Sequence, residues 1–125
     1  MVCDHGDVIA IAGRRNTEVV NSIPIESIVE KDDGAYEISL EVARKLELDG
    51  NIGIDFIQSN DGTYIPIEIN ARITATVGLI AKAGLNLPLL QVQRLLGEHY
   101  DVPKVKYGVT MKKEYRAIYG GIDYE

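Results

Sequence analysis

An α+β fold, mostly antiparallel sheet with flanking helices, is what this sequence predicts, on three observations. The segments Gly50–Gln58 and Tyr64–Arg72 alternate apolar and polar residues around Asn60-Asp61-Gly62, and Asp-Gly between alternating runs is among the strongest short-range hairpin signals. Ile38, Val42 and Leu46 recur at the four-residue spacing of a helix face. Asn86, Pro88 and Gly97 punctuate a later helical stretch. At 125 residues, with 46% hydrophobic and 26% charged residues, the chain has the length and composition of one soluble globular domain with one core.

Taken in order, Asp7 to Ala12 is apolar and β-branched and predicts a strand after a His5-Gly6-Asp7 turn, closed by Gly13 and Arg14-Arg15. Asn16 to Lys31 is ambiguous, although Ile23-Pro24-Ile25 reads as extended. Asp32-Asp33-Gly34 predicts a turn before a helix from about Tyr36 to Leu46, which Asp49-Gly50 ends. The Gly50–Arg72 hairpin follows. A helix then starts near Thr74 or Thr76 and stops at Gly84, and Asn86 caps another that Gly97 terminates. Alternation in Val105, Tyr107, Val109 and Met111 predicts a late strand. The last dozen residues, with Tyr115, Tyr119 and Tyr124, read as a partly ordered tail.

The hairpin carries the chemistry. A two-residue Asp61-Gly62 turn pairs Asn60 with Thr63, Ile57 with Pro66, and Asp55 with Glu68. Ile54 and Phe56 alternate with Asp55, and Ile65, Ile67 and Ile69 alternate with Glu68 and Asn70, so one face is apolar and the other polar. Directly opposed carboxylates have Cβ atoms roughly 4.5–5.5 Å apart and repel unless a proton or cation intervenes. A hard divalent cation is the natural compensation, because Mg²⁺ takes oxygen ligands from one or two carboxylates together with substrate phosphates. Asn70 adds an amide oxygen and Arg72 a guanidinium suited to phosphate.

Asp55, with Glu68 thirteen residues on inside Ile67-Glu68-Ile69-Asn70-Ala71-Arg72, resembles the metal-binding signature of the ATP-grasp superfamily, in particular the carbamoyl-phosphate synthase large subunit. The resemblance covers roughly residues 4 to 97. Gly6 to Arg15 is similar to the strand that precedes the metal site, where basic residues approach substrate or phosphate. Thr76 to Gly97 is similar to the helical pair that follows it. The resemblance implies Asp55, Glu68 and Asn70 as ligands of two metal ions, Arg72 as the catalytic residue at the phosphate or acyl phosphate, and Arg14 and Arg15 as cofactor-binding. It implies ATP and Mg²⁺ (or Mn²⁺) as cofactors, a small carboxylate as substrate, and carbon–nitrogen ligation through an acyl phosphate. Ala71 departs from the proline that many synthase-like members have there.

The same resemblance implies that residues 1–125 are one partial ATP-grasp domain, the C-terminal portion of the fold. The N-terminal lobe and most of the lid are expected in cis or in trans, and the fragment alone is expected to be inactive. A noncatalytic nucleotide- or metal-binding module that retains the fold is the alternative, and an unrelated α+β structural domain is a third reading. Self-association is left open.

Other chemistries fit poorly. A net charge of −6 without basic runs argues against nucleic acid and anionic membranes as partners. No apolar run is long enough to span a membrane and no leader pattern is visible, so the expectation is cytoplasmic. Cys3 reads as a strand residue and not a nucleophile, and His5 and His99 as turn or surface residues. Ile57 stands where a calcium loop needs its first acid, and no glycine-rich phosphate loop of the P-loop or dinucleotide type occurs.

Overall fold

The computed structural model describes residues 1–121, in which His5 and Gly6, both at positive φ, join strand β1 (Val2–Asp4) to β2 (Asp7–Ala10). β5 (Gly50–Asn51) adds to the other edge of β1, giving the order β2-β1-β5. The ambiguous stretch becomes a hairpin of β3 (Arg14–Val20) and β4 (Ile23–Val29), turned by Asn21 and Ser22 at φ 50° and 63°. β8 (Thr110–Lys112) pairs with the free edge of β4. β6 (Gly53–Gln58) and β7 (Tyr64–Asn70) form a third, two-stranded sheet. All pairings are antiparallel, so the predicted α+β class is the one observed.

Each helix is bounded by its own sequence. Asp32 caps α1 (Asp33–Lys45) by accepting from Ala35 N at 3.1 Å, which offsets one unpaired donor of the first turn. α2 (Val77–Lys82) is short, and Thr76 precedes it without a capping bond. Asn86 caps α3 (Leu87–Leu96) through Leu89 N at 3.1 Å, and Gly97 closes it in the left-handed conformation. Val2, Ala10, Val29, Ile80, Leu85 and Leu90 share one buried cluster, and Met1, Cys3, Ala43 and Ile52 a second. Cys3 is a buried strand residue, as expected.

Several boundaries differ from expectation. The first long strand ends at Ala10, two residues early, and Arg14-Arg15 open β3 where they were expected to close a strand. α1 begins three residues before Tyr36, and Ser39 and Ala43 are its buried residues while Leu46 is 58% exposed. Small side chains win the buried line because β2 packs close to this helix. The late strand is only Thr110–Lys112, although Gly108, Val109 and Lys113 also bond β4 through Val29 and Ile25. Tyr115 and Tyr119 are exposed and outside any helix or strand, and Tyr124 lies outside the described residues.

Candidate metal and phosphate site

The hairpin reaches its predicted register by an unpredicted route. The connection is a three-residue loop, Asn60-Asp61-Gly62, closed by Ser59 N to Thr63 O at 2.9 Å, not a two-residue turn. Gly62 takes φ 88°, and Asp61 accepts from Ser59 Oγ and from Thr63 N, which pulls its pKa down to about 2. That loop pairs Ile57 with Ile65 and Phe56 with Pro66, correcting the expected Ile57–Pro66 pair. A β-bulge then leaves Ile67 as an extra residue on β7. Proline suits the irregularity because it has no N–H to donate to the ladder. Past the bulge the count is restored, and Asp55 pairs with Glu68, Ile54 with Ile69 and Gly53 with Asn70.

Asp55, Glu68 and Asn70 therefore share one face. Asn70 Nδ2 lies 3.4 Å from Asp55 Oδ2, which leaves the amide oxygen of Asn70 for another partner. Among the described residues neither Asp55 nor Glu68 is in an ion pair within 4.0 Å. Two opposed, unpaired carboxylates and an amide oxygen are a hard, all-oxygen donor set, and they fit Mg²⁺ or Mn²⁺. The apolar face is less simple than the alternation suggested. Ile57, Ile65, Ile67 and Ile69 are 41–56% exposed, because the bulge shifts the alternation along β7 and only β6 reaches the core, through Ile54.

A cavity of about 420 Å³ lies beside this hairpin and takes Arg14, Arg15, Asp55 and Arg72 into its wall, while Glu68 and Asn70 are outside its lining. The two arginines from β3 differ. Arg15 is committed to Glu30, with Nε at 2.7 Å and Nη2 at 3.2 Å, and that bond raises its pKa. Arg14 is half-buried, its guanidinium bonded to Asn16, and burial lowers its pKa against the opposing pull of the Asp55 charge. Arg72 is exposed and, among the described residues, bonds only its neighbour's carbonyl, at 3.4 Å from Ile73 O. Gly53 sits under this corner, since a Cβ there would lie 2.5 Å from Thr74 Cγ2.

Residues 1–117 match the family described as "ATP-grasp in the biosynthetic pathway with Ter operon". The chain belongs to the ATP-grasp superfamily. Membership makes it an ATP-dependent, ligase-type domain, and the Asp55–Glu68 hairpin lies inside the matched residues.

Sequence reasoning missed a second charged cluster. Arg94 of α3 is 11% exposed and lies 2.5 Å from Asp4 and 2.9 Å from Asp49, with His5 Nδ1 2.9 Å from Asp4. His5 is the turn residue expected, and Asp49, distant in sequence, comes to it through the fold. The His5 bond and Arg94 hold Asp4 below its ordinary pKa, and the same contact with Asp4 raises His5. The buried guanidinium already neutralises these acids, so the cluster reads as a structural tie between the β1–β2 turn, β5 and α3. No described helix is long and apolar enough to cross a membrane.

Proposed function

We propose that this ATP-grasp domain holds the metal–phosphate end of an ATP-dependent carboxylate ligase site. The observation that carries the reading is the Asp55–Glu68 pair, placed opposite across the ladder with Asn70 beside it and no described side-chain cation within 4.0 Å of either acid. Asp55, Glu68 and Asn70 would hold Mg²⁺ or Mn²⁺, which when bound neutralises charge on the transferring phosphoryl group. Arg72 meets the phosphate or acyl-phosphate oxygens. Arg14 offers a half-buried guanidinium to an anion in the same cavity, and Arg15, held by Glu30, shapes the wall beside it. Ile54 and Phe56 add an apolar side to the same wall.

Residues 1–125 are read as a partial ATP-grasp domain, with the adenine-binding lobe supplied in cis or in trans, and the activation of a small carboxylate as an acyl phosphate follows from the superfamily resemblance. Ala71, where many synthase-like members have proline, favours a second reading, a nucleotide- or metal-binding module without catalysis.

Mn²⁺ titration followed by paramagnetic broadening of backbone amides tests the site. Because nucleotide phosphates normally complete the coordination, affinity of the chain alone should be weak, in the millimolar range. Selective broadening around Asp55, Glu68 and Asn70 is expected. Sharp signals there while others broaden would refute the assignment.

A further inference from the structure

The hairpin that carries the acids has little holding it. Among the described strands β6 and β7 pair only with each other, and a lone two-stranded hairpin is marginal in water. Its isoleucines beyond the bulge are exposed and so supply little anchoring. At the base, Ile54 packs into the second core cluster and Gly53 abuts Thr74. At the far end one contact stands out. Tyr64, the first residue of β7, donates its hydroxyl to Asp32 Oδ2 at 2.5 Å. The other oxygen of the same carboxylate caps α1 through Ala35 N. The Tyr64 ring also packs edge-on to Phe56, with centroids 6.2 Å apart, and it lies beside Gly34, where a Cβ would meet the ring at 3.5 Å, an ordinary contact.

We propose that Tyr64 and Asp32 are positioning residues that pin the metal hairpin to the start of α1 and so fix the spacing of Asp55 and Glu68 for the ion. The proposal rests on the metal reading above. Asp32 uses its two oxygens for different elements, one for the helix and one for the hairpin, so a shift of either element is felt by the other. The bond is charge-assisted, which makes it stronger than a neutral pair. Consistent with this, the Tyr64 bond holds the Asp32 carboxyl below its usual range and raises the Tyr64 phenol. Asp32 and Tyr64 line the same cavity as Asp55 but are not among the proposed ligands. The bulge lies between Tyr64 and Glu68, so the pin also steadies the irregular part of the ladder on which the Asp55–Glu68 pairing depends.

Two substitutions separate the pin from simple stability. Tyr64→Phe keeps the ring and removes the donor. Asp32→Ser keeps a capping oxygen for Ala35 N but is too short to reach Tyr64. Amide hydrogen exchange at Phe56–Gln58 and Tyr64–Ile65 should quicken about tenfold in both variants, while protection within α1 is unchanged. Mn²⁺ affinity, read from broadening at Asp55 and Glu68, should fall about three- to tenfold. Unchanged exchange in the hairpin overturns the pin. Wild-type Mn²⁺ binding that both substitutions leave within twofold overturns the positioning role alone. A wild-type chain that holds no Mn²⁺ at these residues overturns the metal reading and the positioning role with it.

Discussion

Replacing Glu68 by Gln should stabilise the metal-free protein and remove its response to metal. Glu68 stands directly across the ladder from Asp55 and pairs with no described cation. Unit charges roughly 5 Å apart in water repel by about 0.8 kcal/mol, and a Debye length of about 8 Å at physiological salt lowers that to about 0.4 kcal/mol. The variant should therefore gain about 0.4 kcal/mol, a rise of about 2 °C for a domain of this size. With Mn²⁺ at ten times its dissociation constant the wild type gains about 1.4 kcal/mol by mass action, and the variant, short of one carboxylate, far less. The order of stability should thus invert between chelator and metal. Urea denaturation of both proteins with EDTA and with Mn²⁺ reads this directly. A variant that is less stable in EDTA, or a metal response equal in both, would refute the reasoning, since it would mean that Glu68 is held by a structural network.

Asp55→Asn should be nearly neutral without metal, within about 0.5 kcal/mol, because the repulsion it relieves is offset by lost attraction to half-buried Arg14, and urea midpoints check it. Gly53→Ala should cost about 1–3 kcal/mol in the same assay, since the new methyl meets Thr74 at 2.5 Å, and Thr74→Ser should recover part of the loss. His5 should titrate above its ordinary 6.5 by proton NMR, and Arg94→Met should push it higher by removing an opposing positive charge. Its contribution to stability is then full below about pH 6.5 and lost as pH rises through the raised value; stability that grows over that window would contradict the contact with Asp4. With the adenine-binding lobe present, Glu68→Gln should lower ATP-dependent ligation by on the order of 10²-fold or more, while the chain alone turns over no ATP. Robust hydrolysis by the chain that survives the substitution would place the nucleotide site elsewhere.

Helix α3 was legible because its limits are local: an amide that accepts from the first turn, a proline within it, a glycine past the end. The body of α1 was legible but not its start, because Asp32, which caps it, reads equally well as a turn residue. The β3–β4 hairpin was not, since Asn21-Ser22 is a weaker turn signal than Asp-Gly and half of its strand residues are polar on both faces. Which face of α1 is buried was also hidden. Spacing favoured Ile38, Val42 and Leu46, but close packing against β2 selects Ser39 and Ala43, and that choice depends on contacts distant in sequence. The Arg94–Asp4–Asp49 tie was invisible for the same reason, its members lying 45 and 90 positions from Arg94.

The Asp55–Glu68 pairing deserves a different account, because the register was right although the turn was wrong. A three-residue loop shifts every pair above it by one, and without correction it would set Ile67 opposite Asp55 and carry Glu68 to the other face. The bulge at Ile67 removes that shift just before the acids are reached. A bulge costs a ladder bond and local regularity, and the pairing it restores is electrostatically unfavourable in the absence of a cation. Two unfavourable features that together place two carboxylates and an amide on one face make physical sense where an ion occupies that face. If the hairpin served packing alone, the uncorrected register would bring Ile67 across from Asp55 and separate the charges. A variant that deletes Ile67 removes the bulge and leaves Asp55 across from Glu68 in a regular ladder, so it should keep Mn²⁺ broadening at position 55 and retain or gain stability in EDTA. Broadening lost in that variant would show that the opposed pairing is not what holds the ion.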